Sequence, residues 1–416
     1  MNAIHESRNR ALAASLTEVE SRNITFVDRD FPIFWDSATQ ATVTDVDGKR
    51  YIDLTAAFGV ANVGHGNPAV TRAIAAQASR LMHAMGDVHP AALKVELLET
   101  LTAFAPDPLQ KTILGSTGAD AVEAALKTAM IVTGKPRFAA FRNGYHGLSL
   151  GTLQIAGIER FRAPFAEALA GGTLFLDYPR LNAETALEVA RSALKARGDL
   201  AAIVVEPVQG RGGCNVPAHG YLRGLRSICD EFDLLLICDE VYTGFGRTGT
   251  MFAVEYERAV PDILCVGKAM ANGFPISAAI AGSNLMDAWP PSSGEALHTS
   301  TFLGNPMGCA AALATIAELQ SRGLCARAQS LGELLEARLR AIVDRGKGRE
   351  ARGRGLMWGI ELASAAAAEE AVRQCLRKGV LVLQAGAEGN VLSLTPPLVI
   401  PEQQLFDAID ILESVI

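Results

Sequence analysis

Leu234-Leu-Leu-Ile-Cys-Asp239-Glu-Val and Ile263-Leu-Cys-Val-Gly-Lys268-Ala-Met-Ala-Asn-Gly-Phe-Pro275 are the two stretches that decide how this chain is read. Each opens with a short apolar run, as expected of a strand buried on both faces. One run closes on an acid, the other on a lysine. A carboxylate in that position must be paired. A lysine beside so much apolar residue has a lowered pKa, which favours the free amine. A structural salt-bridge acid and a snorkelling surface lysine are the alternatives for either residue alone. Gly267 and Gly273-Phe-Pro275 speak against the second, because they point to special backbone geometry around Lys268. As a pair, Asp239 and Lys268 are what a pyridoxal phosphate enzyme needs. The lysine forms a Schiff base with the cofactor aldehyde, and the carboxylate pairs with the protonated pyridine nitrogen. Glu240 is the alternative acid, but strand alternation turns only one of the two toward the ligand side.

Outward from this pair the chain alternates. Helical windows at 68–84, 90–104, 118–133, 184–196 and 219–232 alternate with β-rich runs at 112–114, 137–141, 173–176, 201–206, 234–239, 262–266 and 277–281. That rhythm predicts an α/β fold, with a mostly parallel seven-stranded sheet covered on both faces. Helical spacing also marks 7–20, and 41–54 reads as a hairpin turning at Asp47-Gly48, a type I′ signal. After Asn305-Pro306 come helices at 307–321 and 325–346, strands near 356–362 and 379–383, and a closing helix at 401–415. We expect three parts: an N-terminal segment 1–64 joining a smaller α+β domain, a large cofactor-binding domain 65–305, and the C-terminal small domain 306–416.

Composition narrows the class. The 416 residues are 49% hydrophobic, enough for a sizeable core, and the formal net charge of −7 with no basic block excludes an electrostatic case for nucleic acid. No run of 18 uncharged apolar residues predicts a membrane span, and the N-terminus has no apolar signal region. Seven scattered cysteines, with no Cys-x-x-Cys pair, read as reduced thiols of a cytoplasmic protein. No metal-ligand cluster is expected.

Several segments could serve the cofactor. In Gly115-Ser-Thr-Gly118-Ala119-Asp120, a strand runs into small residues that open a helix. The amides of Gly118 and Ala119 could hold a phosphate there, or the segment is an ordinary N-cap. In Phe141-Arg142-Asn-Gly-Tyr145-His146-Gly, Tyr145 could stack on a flat heterocycle with His146 at its edge, or anchor a surface loop. Glu206 and Gln209 follow the β-branched run 202–205, at the carboxyl edge where open α/β sheets bind ligands. Val241 is placed to pack on a ring face. Thr301 offers a hydroxyl to an anion, or belongs to the turn before Pro306.

Together these segments resemble the class III (ω-) aminotransferases among the fold-type I pyridoxal phosphate enzymes. The resemblance spans almost the whole chain. It runs from Val43-Thr-Asp-Val-Asp-Gly48 and Asn62-Val-Gly-His-Gly-Asn-Pro68 through Val205-Glu-Pro-Val-Gln-Gly210 and Cys238-Asp-Glu-Val-Tyr-Thr-Gly244. It continues in Gly267-Lys-Ala-Met-Ala-Asn-Gly273, Thr301-Phe-Leu-Gly-Asn-Pro306, Arg354-Gly-Leu-Met-Trp-Gly-Ile-Glu361 and Pro396-Pro-Leu-Val-Ile400. The resemblance implies that Lys268 holds the cofactor covalently and shuttles the proton, and that Asp239 meets the pyridine nitrogen. It further implies that Gly118 and Ala119 bind the phosphate, Tyr145 stacks on the ring and Gln209 lies near the ring hydroxyl. Thr301 would reach the phosphate of a neighbouring subunit, in a homodimer with shared active sites. Phe58 matches a substrate-pocket position.

The chain departs from that pattern at two places. Many members carry an arginine three residues before the Pro-Pro-Leu segment, to receive a keto-acid carboxylate; here Ser393 stands there, and it cannot make the bidentate contact. Glu206, which can shield that arginine, loses its partner. The arginine of the Tyr-His-Gly loop is replaced by Leu148, and Arg142 is a candidate substitute. The expected activity is ping-pong transfer of an amino group from an amine or amino acid, an ω-amine or atypical donor, to a keto or aldehyde acceptor. The rival is a pyridoxal phosphate-dependent isomerase (racemase, epimerase or aminomutase), which needs no keto-acid receptor.

Overall fold

The computed structural model describes residues 7–416; the first six, part of the expected segment 1–64, lie outside the described residues. The central sheet has seven strands. In spatial order they are Lys111–Gly115, Ser277–Ala281, Ile263–Val266, Leu235–Asp239, Leu200–Val205, Arg137–Phe141 and Leu174–Leu176. All run parallel except Ser277–Ala281, which is antiparallel to both neighbours. Every residue of Leu200–Val205 is buried, as the unbroken apolar run requires of a strand covered on both faces.

The crossover that opens the site is the helix Gly118–Thr133. It leaves the edge strand Lys111–Gly115 and lies across several strands before the chain enters Arg137–Phe141 near the far edge. Its buried face is Ala121, Val122, Ala124, Ala125, Leu126, Thr128 and Ala129. Side chains this small let one helix pass close over many strands. Its N-terminus therefore stands at the carboxyl edge of the sheet, between the ends of the parallel strands.

Two four-stranded sheets flank this layer. One joins the N-terminal strands Trp35–Thr39, Thr42–Asp45 and Arg50–Asp53 to Val380–Leu381, which pairs parallel with Arg50–Asp53. The other is Glu350–Arg354, Met357–Glu361, Val391–Leu394 and Leu383–Ala385. The chain ends thus meet in one sheet. The helices Leu324–Asp344, Ala365–Arg377 and Glu402–Glu413 cover these sheets.

The hairpin differs from the sequence expectation. Its turn is not type I′, because Asp47 has no positive φ; Gly48 alone does, at 85°, after a Gly48 N–H bond to the Asp45 carbonyl. A type I-like turn closed by a left-handed glycine takes over. The reason lies in Asp47, whose carboxylate accepts from Ser7 Oγ and from the amides of Arg8 and Asn9. It is occupied capping the helix Arg8–Val19. The short alanine run at Ala365–Ala368 starts a helix, capped by Ser364.

Candidate active site

Three strand ends and one helix start converge here. Parallel register sets Val205 beside Cys238 and Asp239 beside Cys265, so Glu206, Asp239 and Lys268 leave the sheet at neighbouring points on one edge. The choice between Asp239 and Glu240 is made by alternation. Glu240 turns away and accepts from Thr243 Oγ1 and the amides of Ala253 and Val254, which ties down the following loop. Asp239 turns the other way, and its Oδ2 lies 2.8 Å from Nδ1 of His146 while Oδ1 accepts from the Val241 amide.

His146 is buried. Burial alone pushes the ring's pKa down, but the Asp239 bond and the charges of Asp239 and Glu206 outweigh it, so the ring titrates above its ordinary value. Its Nε2 is buried without a hydrogen-bond partner among the described residues. Glu206 is also buried, and burial first of all pushes its carboxyl up to about 7. Its oxygens accept from the amides of Tyr145, at 2.8 Å, and Gly210, at 3.1 Å, so it holds two loops together.

Lys268 opens a short 3₁₀ turn and sits at φ 41°, a left-handed backbone that a side-chain-bearing residue rarely adopts. Such strain concentrates at functional positions. Burial lowers its amine below the usual lysine value, against the pull of Asp239 and Glu206. Nζ lies 4.9 Å above the Tyr242 ring centroid. Tyr242 is a residue the sequence reading passed over. Its ring is pinched between the backbones of Gly59 and Gly210, where an added Cβ would come within 2.1 and 2.0 Å of ring carbons. Its hydroxyl lies 3.2 Å from Thr395 Oγ1.

The anion end lies at Gly118. Asp120 Oδ2 accepts from the amides of Ser116 and Thr117, and Thr117 Oγ1 accepts from Asp120. The first-turn amides of Gly118 and Ala119 find no acceptor among the described residues. Val241 presses on this turn: a Cβ on Gly118 would meet its Cγ1 at 2.7 Å. A Cβ on Gly147 would meet that of Ala119 at 2.8 Å, so the Tyr145-His146-Gly147 loop is seated on the same turn.

The remaining expected residues are spread more widely. Gln209 is buried, its Nε2 donating to the Arg142 carbonyl and its Oε1 accepting from Asn215. Tyr145 is half-buried, edge-on to Phe161 at 5.7 Å. Ser393 is buried with its Oγ 3.7 Å from Cys214 Sγ. Phe58 and Thr301 are exposed, Phe58 on a backbone of positive φ. Arg142 is not brought into the cluster. The chain reverses at Asn143, φ 65°, and the exposed Arg142 guanidinium pairs with Asp177 at 3.0 Å. Among the described residues no group of acids, histidines and cysteines is built to hold a metal.

The class-III aminotransferase family profile matches residues 26–416. The chain is a class-III aminotransferase. Acetylornithine aminotransferase of Methanosarcina mazei is 39% identical over 383 residues, 92% of this chain and 91% of the relative. An amine transaminase from an uncultivated Pseudomonas species, solved in its PLP-bound form, superposes with a TM-score of 0.87 at 31% identity, over 95% and 97% of the two chains. Ornithine aminotransferase of Toxoplasma gondii ME49 does so with a TM-score of 0.88 at 29% identity, over 99% and 95%. This class-III aminotransferase is therefore a pyridoxal phosphate-dependent transaminase, acting on amino and keto compounds. The site suits that cofactor on its own terms. It has two free first-turn amides, of Gly118 and Ala119, for a phosphate, an unpartnered buried His146 nitrogen beside Asp239, and an amine kept short of its usual basicity.

Proposed function

We propose that this transaminase takes the terminal (ω) amino group of a carboxylate-bearing donor and delivers it to a keto or aldehyde acceptor in two half-reactions through Lys268. Pyridoxal phosphate, when bound, supplies an electron sink and carries the amino group between the half-reactions. Lys268 Nζ binds the cofactor and moves the proton at the donor carbon; its lowered pKa leaves it free to do so. Asp239 holds a carboxylate where the pyridine nitrogen would stand, steadied by His146 and the Val241 amide. Gly118 and Ala119 would offer their free amides to the phosphate, and Val241 and Tyr145 would border the ring. Gln209 would lie near the ring hydroxyl, and Phe58 and Ser393 would belong to the substrate pocket.

The observation that carries the donor class is the kinship with an acetylornithine and an ornithine aminotransferase, both named for substrates with a terminal amine. Ser393 sets the chain apart from a plain glutamate and 2-oxoglutarate pattern. We also place Thr301 at the partner's phosphate in a homodimer. Exposed Met82, Met85, Val88, Leu297 and Phe302 support this, since the 82–88 and 297–305 segments pack together beside Thr301. Seven free thiols support a reducing, cytoplasmic setting.

Borohydride reduction followed by peptide mass spectrometry tests the central role. Cofactor should be fixed to the Lys268 peptide, and Lys268→Ala should lose both the adduct and turnover. A Lys268→Ala enzyme that keeps its turnover sinks the reading. Donor alone should convert the cofactor to its amine form stoichiometrically; inversion of the donor without that conversion would instead support the isomerase.

A further inference from the structure

We propose that Arg211, assisted by Arg160, receives the substrate carboxylate that Ser393 and Leu148 cannot. The inference rests on the transaminase reading above and names the specificity group of that site. Arg211 follows Gly210, whose amide binds Glu206 and whose backbone lies against the Tyr242 ring under Lys268. It precedes Gly212, which packs against the Asn143 carbonyl in the Tyr145 loop. It is thus rooted between the Tyr145 loop and Tyr242, the ring beneath the Lys268 amine, and its charge acts on Tyr145. Nη1 donates to the Gln384 carbonyl at 2.7 Å, which fixes the guanidinium and leaves its other N–H groups to serve a ligand.

Arg160 completes the arrangement. It stacks 5.0 Å from the Phe161 ring centroid, and Phe161 meets Tyr145 edge-on. It lies close enough to Arg211 for its charge to help lower the Arg211 guanidinium's pKa, after burial. Their neighbours have ion-pair partners: Arg142 pairs with Asp177, and Arg162 with Glu159. Among the described residues neither Arg160 nor Arg211 has a carboxylate within ion-pair distance. Two neighbouring cations without an ion-pair partner can receive an anion, and a planar carboxylate fits the guanidinium fork. Arg160 also lines, with Arg142, Asn143 and Gly157, a cavity of about 280 Å³.

Glutarate, a non-reacting dicarboxylate, tests this by calorimetry on the holoenzyme, with neutral glutaramide as control. Arg211→Gln should weaken glutarate about ten-fold or more and leave glutaramide unchanged. Arg160→Gln, on the surface and harmless to the fold, should weaken it less. In turnover, Arg211→Gln should raise KM for N-acetylornithine but not for N-acetylputrescine, its analogue lacking the carboxylate. Unchanged glutarate affinity in both variants, or no glutarate binding by the wild type, overturns the inference. Loss of covalent cofactor from the wild type would strike the transaminase reading instead.

Discussion

At the scale of single residues the site is a set of buried charges tuned against each other. Glu206 shows the consequence. Its carboxyl is pushed up to about 7 in the folded protein, against an unfolded value near the model-peptide one. A raised folded value stabilises below the unfolded pKa, and that contribution is lost as pH rises through the folded one. Folding stability should therefore fall between pH about 4.5 and 7, by about 3 kcal/mol from Glu206 alone. Glu240, also pushed up to about 7, adds to the same limb. Glu206→Gln should lower absolute stability, because an NH₂ then faces a backbone amide, but flatten the slope over this window. Thermal unfolding followed from pH 4.5 to 8 reads the slope; an unchanged slope would show that Glu206 is ionised throughout. Asp239, Lys268 and Glu206 stood out in the sequence because each follows a run of apolar residues, and Val241 because it lies two residues beyond Asp239. Tyr242 and Arg211 were not, because nothing in a one-dimensional pattern says that Gly59 and Gly210 pinch a ring between them.

At the scale of elements, the decisive contact is the strand end Asp239-Glu-Val241 against the start of the helix Gly118–Thr133. Val241 leaves no room for a side chain at position 118. Gly118→Ala should push the first helical turn off the strand end and weaken cofactor retention about ten-fold or more, an overpacking cost of about 1–3 kcal/mol. Val241→Ala in the same chain should recover most of it, since the two changes share one contact. Equilibrium dialysis of the cofactor measures both; losses that simply add would place the fault elsewhere. The alternation of helices and strands was readable because buried parallel strands and crossover helices have distinct periods. The hairpin turn was misread as type I′, since Asp47 was already engaged by the helix Arg8–Val19, forty residues upstream.

At the scale of the whole molecule, the exposed apolar segments 82–88 and 297–305 lie next to Thr301. If two subunits share their sites there, Phe302→Glu should give a monomer in sedimentation and lose most activity, because a buried unpaired charge is not tolerated at an interface. A fully active Phe302→Glu monomer would show each chain's site to be complete.

The sequence by itself determined the α/β architecture and the family, and it singled out Lys268 and Asp239 as the proposed reacting pair, because those readings rest on local apolar runs and on motifs in a set order. Tertiary structure alone decided which of Asp239 and Glu240 faces His146, that Arg142 is spent on Asp177, and that Arg211 is tied to the Gln384 carbonyl. Those are outcomes of where distant segments meet, and a charge's partner is set by distance in space, not by separation along the chain.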